Sequence, residues 1–299
     1  AYIIRLLPHD ILAASARFLF RMFYQVEVKG LEHLEAAGRR ALIVANHTSL
    51  LDGPLLSAFL PEKASFAINT QMAQQWWVKP AFALFELCPM DPGNPMSLRT
   101  LVSALKRGKR VVIFPEGRIT VTGGLMKIYE GPGAVATMAK AKILPVRIDG
   151  AQFSPFSRLK GVYPRKLFPK ITLTFLPPVS AETPEDLKGS ALREFQAEKL
   201  YTVMTDMVFK SSNIDQTIWQ ALLDVKASYG GKRIILADIQ RKPMSVNRLI
   251  LGSFILGRKL SKLTTGQKYV GLLLPNANAA VASIFGLYAY GRVPAMLNF

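Results

Sequence analysis

The stretch Asn46-His47-Thr48-Ser49-Leu50-Leu51-Asp52-Gly53 places an imidazole and a carboxylate five positions apart, directly after the aliphatic run 41–45. Histidine exchanges protons near neutral pH without help from its surroundings. A carboxylate that accepts from its Nδ1–H fixes the tautomer and stabilises the imidazolium, as in hydrolytic triads. His47 and Asp52 therefore suit general-base removal of a proton from a hydroxyl. Five residues along a regular helix turn roughly 140° about the axis, so the two side chains cannot meet on one helix. They can meet if His47 lies in a loop and Asp52 on the first helical turn, with Thr48 or Ser49 capping that turn. Chance yields many His and Asp pairs at this spacing, so the surrounding elements decide what the pair means.

Those elements read as α/β. Aliphatic runs at 41–45 (ALIVA), 65–68, 111–114 (VVIF) and 143–148 (ILPVRI) have the character of buried strands. Helical patterns lie between and around them at 50–59, 76–87, 97–107 and 133–141. Such alternation argues a mostly parallel sheet flanked by helices. A further strand is expected at 171–176, followed by a polar linker or cap at 180–189. Residues 3–28 are apolar and aromatic, with Arg17 and Arg21 on one helix face. That pattern fits a helix at a membrane interface, and equally a packing helix whose arginines reach outward. No run attains the ~18 uninterrupted apolar residues of a spanning helix. The aromatic stretch from Trp76-Trp77 to Phe85 suits an acyl pocket, a lipid-facing surface or plain core.

Two more blocks accompany the His47 segment. Phe114-Pro115-Glu116-Gly117 closes the VVIF run, and Leu144-Pro145-Val146 lies within the next strand. In this order and spacing, the three blocks resemble the glycerolipid acyltransferase family over roughly residues 20–210. The resemblance implies transfer of an acyl group from a thioester to a hydroxyl of glycerol phosphate or a lysophospholipid. His47 would be the general base and Asp52 its partner. A thiolate leaves with a pKa of roughly 8.5, so it departs without strong acid help. No acyl-enzyme is needed, and no G-x-S-x-G nucleophile elbow occurs in the sequence.

The family's FPEG block is associated with the acceptor's glycerol and phosphate, which makes Glu116, Gly117 and Arg118 candidate binding residues. The usual order after the glycine is Thr then Arg, whereas Arg118 here follows Gly117 directly. Lys127 is either a second phosphate-binding cation or a solvated loop lysine. A second departure is sharper. Family members carry an arginine at the end of the intermediate block, but 87–94 contains none before Arg99. Loss of that cation disfavours a dianionic phosphomonoester and better tolerates the phosphodiester of lysophosphatidylethanolamine, the acceptor expected on this ground.

A second unit is expected from about residue 211. It holds helices at 215–229 and 246–262, then a strand, helix and strand at 269–274, 277–290 and 293–297. The segment 268–299 resembles the opening β-α-β of adenylate-forming acyl synthetases, whose ATP- and magnesium-binding parts lie further downstream. The sequence thus divides into a membrane-interface helical segment (1–27), an acyltransferase domain (28–210) and the truncated start of a synthetase domain (211–299). A lone β-α-β unit leaves a sheet edge open, so the natural protein is expected to continue beyond Phe299, and Ala1 is expected to follow a processed or trimmed start. This pairing resembles a class of bifunctional bacterial enzymes that repair lysophospholipids on the cytoplasmic face of the inner membrane. The resemblance implies acyl carrier protein, or coenzyme A, as acyl carrier, and a lysophospholipid transporter as a partner. Acyl transfer itself would need no cofactor.

Composition limits the alternatives. Lys and Arg number 38 against 20 Asp and Glu, a formal charge of +18, which calls for an anionic partner. No zinc, RNP-like or helix-turn-helix pattern points to nucleic acid, and an anionic membrane or an acidic carrier protein fits the charge instead. Arg158, Lys160, Arg165, Lys166 and Lys170 lie in a stretch without any acidic residue. A single cysteine, Cys88, excludes an internal disulfide, and three histidines leave little for a metal site. Gly131-x-Gly133-x-x-Ala136 has dinucleotide-loop spacing, but Pro132 interrupts it and no good strand precedes it, so helix-start glycines are expected. Among enzymes the alternative to the lysophosphatidylethanolamine reading is a 1-acylglycerol-3-phosphate acyltransferase; outside them the rival is a lipid-binding module without catalysis, against which stands the joint presence of His47 and Asp52.

Overall fold

The structure, a computed structural model, describes residues 9–74, 86–91, 96–159, 161–238 and 242–297. The chain divides into two compact units, Ala1–Ser212 and Asn213–Phe299.

The first unit is built on seven strands: β1 (Glu27–Lys29), β2 (Ala41–Ala45), β3 (Ser65–Asn69), β4 (Glu86–Met90), β5 (Val111–Ile113), β6 (Lys142–Asp149) and β7 (Thr172–Phe175). They form one sheet in the order β1-β7-β6-β2-β5-β3-β4, parallel at every pairing except β6 with β7. The helices are α1 (His9–Tyr24), α2 (Glu32–Ala37), α3 (Asp52–Phe59), α4 (Thr70–Ala73), α5 (Met96–Lys106), α6 (Gly131–Ala139) and α7 (Gly189–Ser211).

The ALIVA run explains the layering. Side chains alternate across a strand, and all five residues of β2 are fully buried. Ala41, Ile43 and Ala45 join one apolar cluster with Leu55, Leu56 and Phe59 of α3. Leu42 and Val44 join a second cluster with Leu101 and Leu105 of α5 and Leu200 of α7. A strand covered on both faces reads as a continuous apolar run, and the sheet is the middle of three layers. From β2 the chain crosses to β3 and β4 on one side, returns to β5, then places β6 on the other side. Such a reversal opens a crevice at the carboxyl ends of the parallel strands, where ligands bind in open α/β sheets.

Several sequence expectations need correction. The helix expected at 50–59 begins only at Asp52, because Leu50 and Leu51 belong to the turn. Most of the helix expected at 76–87, with its tryptophans, lies outside the described residues, and Glu86 and Leu87 belong to edge strand β4. The long helix α7 begins where the polar linker ends. Its buried stripe of Gln196, Leu200, Val203, Met204 and Met207 has helical spacing. Gly131 and Gly133 open α6, as expected for helix-start glycines, and Gly133 has a packing reason as well. A Cβ there would stand 2.6 Å from the Gln196 carbonyl oxygen, so its absence lets α7 lie close to α6.

The helix α1 has two apolar sides. Ala13, Ala16, Phe20 and Tyr24 face the core, while Phe18, Leu19, Met22 and Phe23 are exposed. The Arg21 guanidinium lies over the Phe59 ring at 5.6 Å. Among the described residues, no helix is long and apolar enough to cross a membrane.

The second unit contains α8 (Ile218–Tyr229), β8 (Ile234–Ala237), β9 (Pro243–Ser245), α9 (Val246–Leu263), β10 (Tyr269–Leu272), α10 (Asn278–Ala289) and β11 (Val293–Met296). The antiparallel pair β8–β9 was not expected from the sequence, whereas β10 and β11 pair in parallel across α10. Helices α9 and α10 meet at glycines: a Cβ on Gly257 would stand 2.5 Å from the Gly286 carbonyl oxygen.

Candidate active site

Strands β2 and β5 are parallel neighbours, so the loops that follow them emerge at the same edge of the sheet. The first loop carries His47 and the second carries Phe114 to Thr120. Asn46 fixes where the first loop begins. Its side-chain amide donates to the Ile148 carbonyl (2.9 Å) and its oxygen accepts from the Ile148 N–H (2.8 Å). This replaces the strand pairing that ends at Ala45 and Val146. The side chain is buried, so the two bonds have no competition from water.

His47 lies in the loop and Asp52 is the first residue of α3, the one arrangement in which the spacing lets them meet. Nδ1 of His47 is 2.9 Å from Oδ2 of Asp52. The imidazole is 20% exposed and the carboxylate not at all. Oδ2 also accepts from the backbone N–H groups of Thr48 (2.6 Å) and Ser49 (2.9 Å), and Oδ1 accepts from the Thr48 hydroxyl (3.3 Å). The capping expected of Thr48 and Ser49 is thus reversed, because Asp52 binds their backbone while neither side chain caps α3. With Oδ2 as acceptor, Nδ1 carries the proton, and Nε2 keeps a lone pair for a substrate proton.

Two more loops hold the turn. On one side the Glu116 carboxylate bridges backbones, Oε1 accepting from His47 N–H (2.8 Å) and Oε2 from Met126 N–H (2.9 Å). The His47 carbonyl accepts from Thr120 N–H at 2.8 Å. Phe114 stacks on the imidazole, with centroids 4.2 Å apart and planes 18° from parallel. On the other side the hydroxyls of Ser49 and Ser154 are 3.0 Å apart, and Leu50 N–H donates to the Phe156 carbonyl (3.2 Å). Burial pushes the Glu116 carboxyl above its ordinary range, against the opposing pull of its two backbone donors and of His47.

Of the residues expected to bind the acceptor, Glu116 is 2% exposed and engaged by the protein's own backbone, which makes it a positioning group here. Gly117 adopts φ +67° and closes a turn by donating its N–H to the Phe114 carbonyl at 3.0 Å. A Cβ at Gly117 would also stand 3.0 Å from the Tyr129 ring. Arg118 and Lys127 are exposed, and the Lys127 ammonium lies 5.7 Å from the Tyr129 ring centroid. Sequence reasoning assigned no part to Asn46, Thr120 or Ser154. Thr120 is buried, and its hydroxyl accepts from Gly123 N–H (3.1 Å) and donates to the Gly124 carbonyl (2.9 Å). A polar residue directly after a buried strand was the available signal for Asn46. Residues 92–94 of the intermediate block lie outside the described residues. Among those described, no group of three or more His, Cys, Asp or Glu is placed to hold a metal ion.

This geometry lies within residues 25–149, which match the Acyltransferase family. The N-terminal region is an acyltransferase-family domain. Curated relatives agree with that assignment. The chloroplastic 1-acyl-sn-glycerol-3-phosphate acyltransferase of Arabidopsis thaliana is 30% identical over 135 residues, 43% of this chain and 37% of that protein. The 1-acyl-sn-glycerol-3-phosphate acyltransferase of Pseudomonas aeruginosa is 29% identical over 134 residues, 43% of this chain and 51% of that protein. The chain thus spans between about a third and a half of the length of these relatives. The crystal structure of the 1-acyl-sn-glycerophosphate acyltransferase from Thermotoga maritima superposes with a TM-score of 0.52 at 21% identity. That superposition covers 69% of this chain and 80% of that chain. At that identity the likeness concerns the fold, and it agrees with the mostly parallel sheet and flanking helices of this acyltransferase domain.

Proposed function

We propose that the N-terminal unit transfers an acyl group from a thioester to the free hydroxyl of a lysophosphatidic-acid-type acceptor. The reading is carried by one observation, the His47 imidazole held by the buried Asp52 carboxylate within the family-matched segment. The acceptor oxygen attacks the thioester carbonyl carbon while its proton passes to Nε2 of His47. The resulting tetrahedral centre collapses, the carbon–sulfur bond breaks, and the departing thiolate takes the proton from the imidazolium. An ester and a thiol result, and His47 is neutral again. Asp52 keeps the ring oriented and balances its transient charge. Arg118 and Lys127 are the cations proposed to face the acceptor's phosphate, with acyl carrier protein or coenzyme A as the acyl carrier.

The named acceptors of the curated relatives support 1-acylglycerol 3-phosphate. The absence of arginine through 87–94 supports a second acceptor, lysophosphatidylethanolamine, as used by 2-acylglycerophosphoethanolamine acyltransferases. In that case residues 211–299 are proposed to open an acyl–acyl carrier protein synthetase, as the β10-α10-β11 crossover supports. Both acceptors should be assayed with acyl carrier protein and coenzyme A thioesters. Faster acylation of lysophosphatidic acid is expected, and the reverse order transfers the assignment to the second acceptor. His47→Ala should lower turnover by about 10²–10⁴-fold. A variant as active as wild type would remove the general-base mechanism.

A further inference from the structure

Residues 118–130, between the turn at Gly117 and α6, are tied down on either side of Lys127. Met126 N–H donates to the Glu116 carboxylate at 2.9 Å, and Tyr129 N–H donates to the Pro115 carbonyl at 2.9 Å. Further back, the Thr120 hydroxyl donates to the Gly124 carbonyl at 2.9 Å. The backbone that carries Lys127 is therefore set by the same Glu116 carboxylate that binds the His47 N–H. What these bonds leave free is the four-carbon stem of the lysine, whose ammonium sweeps a wide arc when unrestrained. That ammonium instead rests over the Tyr129 ring, 5.7 Å from its centroid.

The ring is itself held, although the side chain is 54% exposed. It stands on the bare backbone of Gly117, where a Cβ would lie 3.0 Å from its edge. Tyr129 thus joins the turn after β5 to the lysine, with its face as the seat for the ammonium. At an exposed site such an attraction is worth about a two- to fivefold change in an equilibrium. The seat treats the two acceptors differently. A dianionic phosphomonoester gains from an ammonium already in place, because less side-chain freedom is lost on binding. An ethanolamine phosphodiester brings its own ammonium, which finds the ring face filled and a like charge beside it.

We infer that Tyr129 is a positioning residue that sets acceptor choice. It holds the Lys127 ammonium ready for a phosphomonoester and disfavours headgroups that carry an ammonium of their own. The inference rests on the proposed acyl transfer to a lysophosphatidic-acid-type acceptor, and adds to it a residue that discriminates between the two acceptors. The effect of Tyr129 passes through Lys127, so it belongs in acceptor binding rather than in turnover.

Tyr129→Leu, Tyr129→Phe, Lys127→Ala, and Lys127→Ala combined with Tyr129→Leu test it in the full chain, with short-chain lysophosphatidic acid and lysophosphatidylethanolamine as acceptors. Tyr129→Leu should raise KM for lysophosphatidic acid about two- to fivefold, with kcat within about twofold of wild type. KM for lysophosphatidylethanolamine should not rise, so the preference between the acceptors narrows by the same factor. Tyr129→Phe keeps the ring and should behave as wild type. Once Lys127 is replaced by alanine, the leucine change should add nothing, because the two residues act through one contact. Titration calorimetry of lysophosphatidic acid with the same proteins should rank the dissociation constants in the same order, and reads the pairing without any turnover. An unchanged KM or dissociation constant in Tyr129→Leu, equal KM changes for both acceptors, or an undiminished leucine effect beside Lys127→Ala overturns the inference. A chain that binds lysophosphatidic acid in the expected pattern yet transfers no acyl group overturns the proposed reaction instead.

Discussion

At the residue scale, the site is organised around carboxylates that bind backbone. Asp52 collects four donors from three consecutive residues, which turns a flexible pentapeptide spacing into a fixed turn. Glu116 does the same between two loops. The consequence for Glu116 can be measured. Its carboxyl is raised from the ordinary value of 4.5, chiefly by burial. A group raised in the folded state contributes stability that is fully present below the unfolded value and lost as pH rises through the folded one. Glu116→Gln removes that titration, and its amide NH₂ must face a backbone N–H in place of an acceptor. The stability difference, wild type minus variant, should therefore be largest at the acidic end and decline as pH rises above about 4.5. Urea unfolding of both proteins across a pH series measures it, and a difference that grows with pH would contradict the assignment. The variant should also lose turnover more than acceptor affinity, because its effect passes through the His47 backbone.

At the scale of elements, burial decided what could be read. Strands β2, β5 and β6 were legible because both faces are covered, which leaves unbroken aliphatic runs. Edge strand β4 was not, since Glu86 and Pro89 interrupt its pattern and its exposure changes from residue to residue. Strand β1, with three residues, is too short to carry any period. Helix α7 escaped notice because exposed Tyr201 and Phe209 blur its buried stripe. The spacing of His47 and Asp52 permitted a pairing only across a loop–helix junction, and the neighbouring blocks gave it meaning, but the clamps by Asn46, Glu116 and Ser154 join residues about 70 to 105 positions apart and leave no local trace. The same scale supplies a prediction about Gly133. Its missing Cβ admits the Gln196 carbonyl, and α6 and α7 together cover the second cluster. Gly133→Ala should cost about 1–3 kcal/mol through forced separation of the helices, although alanine is the better helix former. Denaturant unfolding that shows a gain in stability would mean that the helices separate freely.

Across the whole molecule, apolar exposure is not confined to the first unit. In the second, Leu251 and Ile255 are exposed one helical turn apart on α9, and Leu263 ends that helix uncovered. Contiguous exposed apolar surface marks an interaction site or an aggregation liability. Replacing Leu251 and Ile255 together by lysine should lower the binding of a hydrophobic dye and raise solubility. It should leave thermal stability within about 0.5 kcal/mol per substitution, as for surface changes. A large loss of stability instead would show that these side chains hold the unit together. The formal charge of +18 acts at this scale too, favouring solubility of the free chain and attraction to any anionic surface.

The turn around His47 is tied on one flank to the loop after β5, through Glu116 and Thr120, and on the other to the loop after β6, through Ser154 and Phe156. It is consequently not a portable cassette. A chimera that imports residues 46–53 from a relative while keeping the host's remaining loops would inherit the catalytic pair without its anchors. Recombination between relatives should succeed only at crossover points that transplant all three loops together.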